Sequence, residues 1–374
     1  MRYLVSGGGT GGHVYPALAV ARALRDVRRD VELDYIGGVR GFERRLVASH
    51  ELRHDLHYHE LVVRSLRSAG LSAHTVLDPL RLAASVPQAW WLLGRTRPAA
   101  LFTTGGYLAV PLVLAARARG IPSLVWEGNV LPGRATRAIG RLATRVAVSF
   151  PPTLDAFPTN GFISGTPIRS FAGVDRDAAR REFGVRADDR LLLVFGGSQA
   201  VARLSSATRD ALPQLTADWH VLHLCGEAGM AEAGAARQAL PESLRTRYTP
   251  EPFLTDRMAD ALVAADLVVG RAGSSTCAEL AAVGVASILV PYPYAGAHQR
   301  YNAAYLADEG AAVMVPDEAL DAGRLVAESR ALLDDRRRRA MSEAARRLGR
   351  PDAARELASE LVRMAESDEE GAAG

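Results

Sequence analysis

Tyr3-Leu4-Val5-Ser6-Gly7-Gly8-Gly9-Thr10-Gly11-Gly12-His13 decides the fold of this chain: a short apolar run, a glycine turn, and then the helical pattern Ala17-Leu18-Ala19-Val20-Ala21-Arg22-Ala23-Leu24. It reads as strand, turn, helix. Such a turn lets backbone approach a polar ligand, and the helix behind it offers unpaired N–H groups and the positive end of its dipole. The spacing fits the dinucleotide fingerprint imperfectly and lacks the G-K-[ST] end of a P-loop. An imidazole at the mouth of the turn, His13, points to acid–base chemistry.

The same device returns at Leu191-Leu192-Leu193-Val194-Phe195-Gly196-Gly197-Ser198-Gln199. Between and beyond these, β-type runs at 101–103, 123–126, 146–148, 220–224, 267–269 and 287–290 alternate with alanine- and arginine-rich helical patterns. Strand–helix alternation builds parallel sheets covered on both faces, with ligands beyond the carboxyl ends of the strands. At 374 residues and 48% apolar, the chain has material for two cores. The expected fold is α/β, two doubly wound Rossmann-like domains facing a cleft. Glycine, proline and small polar residues at 160–167 put the boundary there. The expected domains are 1–163 and 164–345, with a helix at 346–366 packing back on the first domain and a disordered acidic tail at 367–374.

Composition narrows the function. No run approaches the length of a membrane span and no leader precedes the first strand, so a cytosolic protein is expected. Cys225 and Cys277 suit buried, reduced thiols better than a disulfide or a zinc site. The net charge is only +3, every basic residue is arginine, and the block Arg336-Arg337-Arg338-Arg339 lies among acidic residues on a helical pattern. A solvated helix face is expected there rather than a nucleic-acid surface.

Further motifs carry chemistry. Gly270-Arg271-Ala272-Gly273-Ser274-Ser275-Thr276-Cys277-Ala278-Glu279-Leu280 follows a strand and opens a helix, an anion cradle with Glu279 one turn beyond Ser275 and placed to accept from sugar hydroxyls. In Pro291-Tyr292-Pro293-Tyr294-Ala295-Gly296-Ala297-His298-Gln299-Arg300-Tyr301-Asn302, the Gln299 amide can both donate to and accept from a sugar. Asp175-Arg176-Asp177 spells a metal-binding D-x-D, but it precedes a helical pattern and is read as a cap; neither metal nor cofactor is expected.

Jointly, Gly8-Gly9-Thr10-Gly11-Gly12-His13, Gly41-Phe42-Glu43-Arg44-Arg45-Leu46-Val47, Gly105-Gly106-Tyr107, Gly120-Ile121-Pro122, Gly196-Gly197-Ser198-Gln199, Ala278-Glu279-Leu280 and His298-Gln299-Arg300-Tyr301-Asn302-Ala303 resemble, in order and over nearly the whole chain, the MurG type of GT-B glycosyltransferase. The resemblance implies inverting transfer of N-acetylglucosamine from UDP to an undecaprenyl-diphosphate-linked muramoyl-pentapeptide in peptidoglycan synthesis. It implies that Thr10, Gly11 and Gly12 contact the donor, Asn129 the transferred sugar, and Arg169 and Ser198 the diphosphate. It places the Leu254 amide at the uracil edge, Ser274, Ser275, Thr276 and Glu279 on phosphate and ribose, and Gln299 on the sugar. His13 is the implied base, with Glu127 as second catalytic candidate and Tyr107 beside it on the acceptor side. A lipid acceptor implies a peripheral protein on the cytoplasmic face of an anionic membrane. Leu77, Leu80, Leu82, Val86, Trp90, Trp91 and Leu92 with Arg81, Arg95 and Arg97 have the composition of the docking element.

The chain departs from the family pattern at Trp126 and Gly128, where His and Gln are usual, at Thr136, where Asn is common, and at Ala200, where Gly is customary. A related transferase with another lipid or glycoside acceptor therefore stays open. So does a non-hydrolysing UDP-sugar epimerase, which shares the fold and grips the same nucleotide.

Overall fold

Every pairing between neighbouring strands in both sheets is parallel. The computed structural model describes residues 1–39, 42–62, 73–196, 202–293 and 298–373, the side chains of 42, 73–83 and 369–373 excepted. Two units emerge, Met1–Ile168 with Pro351–Gly374, and Arg169–Arg350.

Unit 1 contains β1 (Arg2–Ser6), β2 (Glu32–Gly38), β3 (Leu56–Leu61), β4 (Ala100–Thr103), β5 (Ser123–Glu127), β6 (Arg145–Val148) and β7 (Gly161–Ile163), in the order β3-β2-β1-β4-β5-β6-β7. Unit 2 contains β8 (Leu191–Phe195), β9 (His220–Leu224), β10 (Tyr248–Glu251), β11 (Leu267–Gly270), β12 (Ala286–Leu289) and β13 (Ala312–Met314), in the order β10-β9-β8-β11-β12-β13. Both orders run 3-2-1-4-5-6 from the first strand of the unit, the doubly wound arrangement in which the direction of winding reverses between the first and fourth strands. Central strands are continuous apolar runs because helices cover both faces; β8 is buried along its whole length. Edge strand β3 is instead polar, and the Gln88 amide occupies its open side: Val62 N–H donates to Gln88 Oε1 (2.8 Å) and Gln88 Nε2 donates to Glu60 O (3.1 Å).

The division between units differs from the sequence expectation at both ends. Residues 161–163 add β7 to the first sheet and Ser164 N–H donates to Val148 O at 3.0 Å, so the first unit extends to Ile168. The helix Asp335–Leu348 stays with unit 2, where Arg346 packs against Gly284, and the chain rejoins unit 1 only at Pro351. The last helix, Ala353–Ala373, places Leu357, Ala358, Leu361, Met364 and Ala365 in the core formed by β1, β2, β4 and the helix Gly11–Val27. The acidic tail expected to be disordered continues this helix as far as Ala373. Extending an existing helix adds one hydrogen bond per residue without a new nucleus, and alanine and glutamate accept it readily. Among the described residues no helix is long and apolar enough to cross a membrane.

A polar string runs through the core of unit 2. His223 is fully buried, its Nε2 3.1 Å from Ser205 Oγ and its Nδ1 2.9 Å from Tyr248 Oη. Burial, and after it the Arg209 charge, lowers this imidazole to a pKa of about 4. The folded value lies below the unfolded one, so folding loses stability as pH falls through 6.5 and the loss is complete near 4. The stability of the parent relative to His223→Gln is expected to drop by about 3 kcal/mol between pH 7 and pH 4, read from urea midpoints across that range.

Candidate active site

In an open parallel sheet the crevice for ligand lies beyond the carboxyl ends of the strands where winding reverses. In unit 1 that point is between β1 and β4; in unit 2 it is between β8 and β11.

At the unit 1 switch point, Thr10 is the N-cap of the helix Gly11–Val27, with extended backbone and no side-chain cap bond. The N–H groups of His13 and Val14 return to Thr10 O at 3.1 and 3.2 Å, and those of Gly11 and Gly12 precede the first intrahelical bond. His13 Nδ1 lies 2.7 Å from Thr104 O, just past the end of β4. A carbonyl only accepts, so Nδ1 carries the proton and Nε2 is the nitrogen able to take another. Thr104 Oγ1 donates back to His13 O at 3.0 Å, fixing the backbone of the same residue. Gly105 and Gly106 follow with φ of +80° and +72°. A Cβ at Gly105 would approach Thr136 Oγ1 to 2.8 Å, so glycine is required there by both conformation and space. Tyr107 comes next, its ring packed beside the backbone of Gly9 and its hydroxyl pushed up to about 12 by burial and by the Glu43 carboxylate.

Glu127 ends β5 and is buried. Its Oε1 accepts from the Asn129 N–H (3.0 Å) and from Asn129 Nδ2 (3.1 Å), and its Oε2 accepts from the Gly133 N–H (2.9 Å). The carboxylate is thus committed to shaping its own loop. Trp126, the departure from the family pattern, is buried and donates its indole N–H to Gly165 O at 3.0 Å.

In unit 2 the helix Ser274–Val283 starts directly after β11 with Gly273 as N-cap and no side-chain cap bond. Cys277 N–H is the first to return, to Gly273 O at 2.9 Å, which leaves the N–H groups of Ser274, Ser275 and Thr276 ahead of the helical ladder. All three are half-buried. Glu279 is nearly buried, and its Oε1 accepts from Arg169 Nε at 2.8 Å. Burial raises the carboxyl above the usual range and the Arg169 guanidinium pulls it back. Gln299 Oε1 accepts from the Tyr292 N–H at 2.9 Å, and Asn302 Nδ2 donates to Ala272 O at 3.1 Å. Leu254 follows β10 with its side chain buried, next to an exposed Phe253. Ser198 and Ala200 lie outside the described residues.

Asp175 accepts the Ala178 N–H at 2.6 Å and caps the helix Arg176–Glu182, and Arg176 pairs with Asp266 at 2.7 Å. Both cysteines are free and buried. Thr104 is signalled in the sequence only by the strand–glycine–helix junction at 100–107, and the buried Arg271–Asp317 pair just after β11 by no motif.

Residues 3–148 match the N-terminal domain, and residues 191–357 the C-terminal domain, of glycosyltransferase family 28. The chain is a glycosyltransferase built from two Rossmann-like domains. It is 37% identical to the UDP-N-acetylglucosamine–N-acetylmuramyl-(pentapeptide) pyrophosphoryl-undecaprenol N-acetylglucosamine transferase of Moorella thermoacetica, over 98% of this chain and 100% of that protein. It is 38% identical to the Salinibacter ruber protein of the same name, over 97% and 96%. The crystal structure of Acinetobacter baumannii MurG superposes with a TM-score of 0.77 at 27% identity, covering 97% of this chain and 99% of that one. The chain belongs to the MurG family of N-acetylglucosamine transferases.

Proposed function

We propose that this protein transfers N-acetylglucosamine from its UDP donor to an undecaprenyl-pyrophosphoryl-linked muramyl-pentapeptide, in peptidoglycan synthesis, by direct displacement with inversion. The acceptor oxygen attacks the anomeric carbon, the bond to UDP breaks with its electron pair leaving on the diphosphate, and the acceptor proton passes to His13 Nε2. The observation that carries this reading is the 2.7 Å contact from His13 Nδ1 to Thr104 O, which sets the tautomer a general base needs. Thr10, Gly11 and Gly12 contact the donor beside His13, Tyr107 lines the acceptor side, and Glu127 positions Asn129 toward the transferred sugar. On the donor side, the N–H groups of Ser274, Ser275 and Thr276 take up charge developing on the leaving diphosphate. Arg169 and Ser198 add to that charge, Glu279 holds the ribose, the Leu254 amide reads the uracil edge, and Gln299 holds the sugar.

A peripheral position on the cytoplasmic face of an anionic membrane belongs to the same proposal. Trp90 and Trp91 are 48% and 57% exposed, with the Arg119 guanidinium 3.8 Å and the Arg95 guanidinium 5.6 Å from their ring centres. That pairing suits apolar insertion beside anionic headgroups. The side chains of Leu77, Leu80, Arg81 and Leu82 lie outside those described. One assay tests both parts: UDP release from UDP-N-acetylglucosamine, with the lipid-linked acceptor absent, in zwitterionic vesicles, or in anionic vesicles. Release is expected only with acceptor, and faster in the anionic vesicles. Acceptor-independent turnover, or interconversion of the sugar, would sink the transferase reading.

A further inference from the structure

Glu43, at the start of the helix Phe42–Ser49, is fully buried, and no step of the transfer described above uses it. Its side chain reaches across the end of β2. Oε1 accepts the Gly38 N–H at 2.6 Å, and Oε2 accepts the Gly9 N–H at 3.4 Å. A carboxylate this far from water is costly unless its oxygens are satisfied, and here two main-chain donors, one from the end of β2 and one from the glycine loop, converge on it.

The glycine loop is built over this group. Gly9 has a φ of +89°, a backbone conformation open to glycine. A Cβ at Gly8 would come within 2.9 Å of Glu43 Oε1, so the loop backbone rests on the carboxylate. Tyr35 Oη donates to Gly7 O at 2.5 Å and ties down the first residue of the same loop. Tyr35, Tyr58 and Tyr107 surround the group as neutral phenols, all pushed up by burial first and by the Glu43 charge second.

We infer that Glu43 is a positioning residue for the transfer: by drawing Gly9 and Gly38 together it sets the shape of residues 7–12 and, through Thr10, the first helical turn that carries His13. The link is direct, because the His13 and Val14 N–H groups both close on Thr10 O, one residue after Gly9. With the Gly9 N–H turned inward, the loop presents Gly11 and Gly12 to a ligand. The inference rests on the reading of His13 as base, and Glu43 itself touches neither donor nor acceptor.

Glu43→Gln keeps the size of the side chain but replaces one acceptor oxygen by an amide NH2 that neither N–H can use. Because an error of about 1 Å in placement costs about 100-fold, kcat is expected to fall about 10- to 100-fold, with KM for UDP-N-acetylglucosamine within about twofold. Amide hydrogen exchange at Gly9 and Gly38 is expected to speed up about tenfold while that of unit 2 is unchanged. Parent-like exchange overturns the brace, and parent-like kcat with faster exchange overturns its role in positioning. If Glu43→Gln fails to fold, read as loss of UDP binding and of circular dichroism, Glu43→Asp takes its place; the same split is expected and an unchanged kcat overturns the inference. A parent protein that never transfers sugar would remove the functional reading alone, since exchange at Gly9 and Gly38 still decides whether the brace exists.

Discussion

His13→Ala is expected to lower kcat by about 100- to 10,000-fold, the range for loss of a positioned general base, while leaving the affinity for UDP-N-acetylglucosamine within about twofold. The split follows from the proposed roles: His13, in unit 1 at the switch point between β1 and β4, takes the acceptor proton, whereas the proposed nucleotide contacts of Leu254, Ser274, Ser275, Thr276 and Glu279 lie in unit 2. Initial-rate kinetics and calorimetry with the donor measure the two halves separately. The hydrogen bond to Thr104 O supplies a control. His13→Gln offers an amide N–H to that carbonyl but no base, so it is expected to be as slow as His13→Ala. Recovery of turnover in His13→Gln would mean that the imidazole acts as a structural donor and that the proton goes elsewhere.

The strand–glycine–helix junctions at 3–13 and 191–196 are legible because a fully covered parallel strand must be an unbroken apolar run and a switch-point turn must be small. Strands β2 and β3 are harder to read, since Asp34, His57, His59 and Glu60 interrupt the apolar pattern at and near an open edge. The residue types of the site are legible too, but their partnerships are not. His13 takes its tautomer from a main-chain carbonyl 91 residues away, and Glu279 meets Arg169 across 110 residues. Spacing in sequence carries no trace of either. Glu127 is the instructive case: its bonds to the Asn129 N–H, Asn129 Nδ2 and the Gly133 N–H, which tie the end of β5 to the loop that follows, leave no trace in residue spacing.

The two units use one topology but recruit different charged side chains at their switch points. Beneath the glycine loop of unit 1 lies the Glu43 carboxylate, which accepts the Gly9 and Gly38 N–H groups. Beside the helix Ser274–Val283 of unit 2 lies the Arg169 guanidinium, paired with Glu279 of that helix. Repeating a fold therefore does not repeat the charged side chain that each switch point recruits.

Glu279→Ala is expected to weaken donor binding rather than slow the chemical step. A carboxylate accepting from ribose hydroxyls makes charge-assisted bonds worth about 1.5–3 kcal/mol each. Losing one or two of them costs about 2–4 kcal/mol, roughly 30- to 1,000-fold in Kd for UDP-N-acetylglucosamine. One effect opposes this: removing the carboxylate releases Arg169, which is 40% exposed and becomes available to the diphosphate. Exposure weakens that gain by solvent screening, so the lost ribose bonds dominate. Arg169→Ala separates the two. Burial already raises the Glu279 carboxyl and only Arg169 opposes the shift, so without the guanidinium the carboxyl rises further. A protonated Glu279 accepts poorly, and the Arg169→Ala protein should therefore lose donor affinity as pH falls at a higher pH than the parent does. Calorimetric titrations of UDP from pH 8 to pH 5 check the shift; coincident pH profiles for parent and Arg169→Ala would show that the Glu279 carboxylate does not hold the nucleotide.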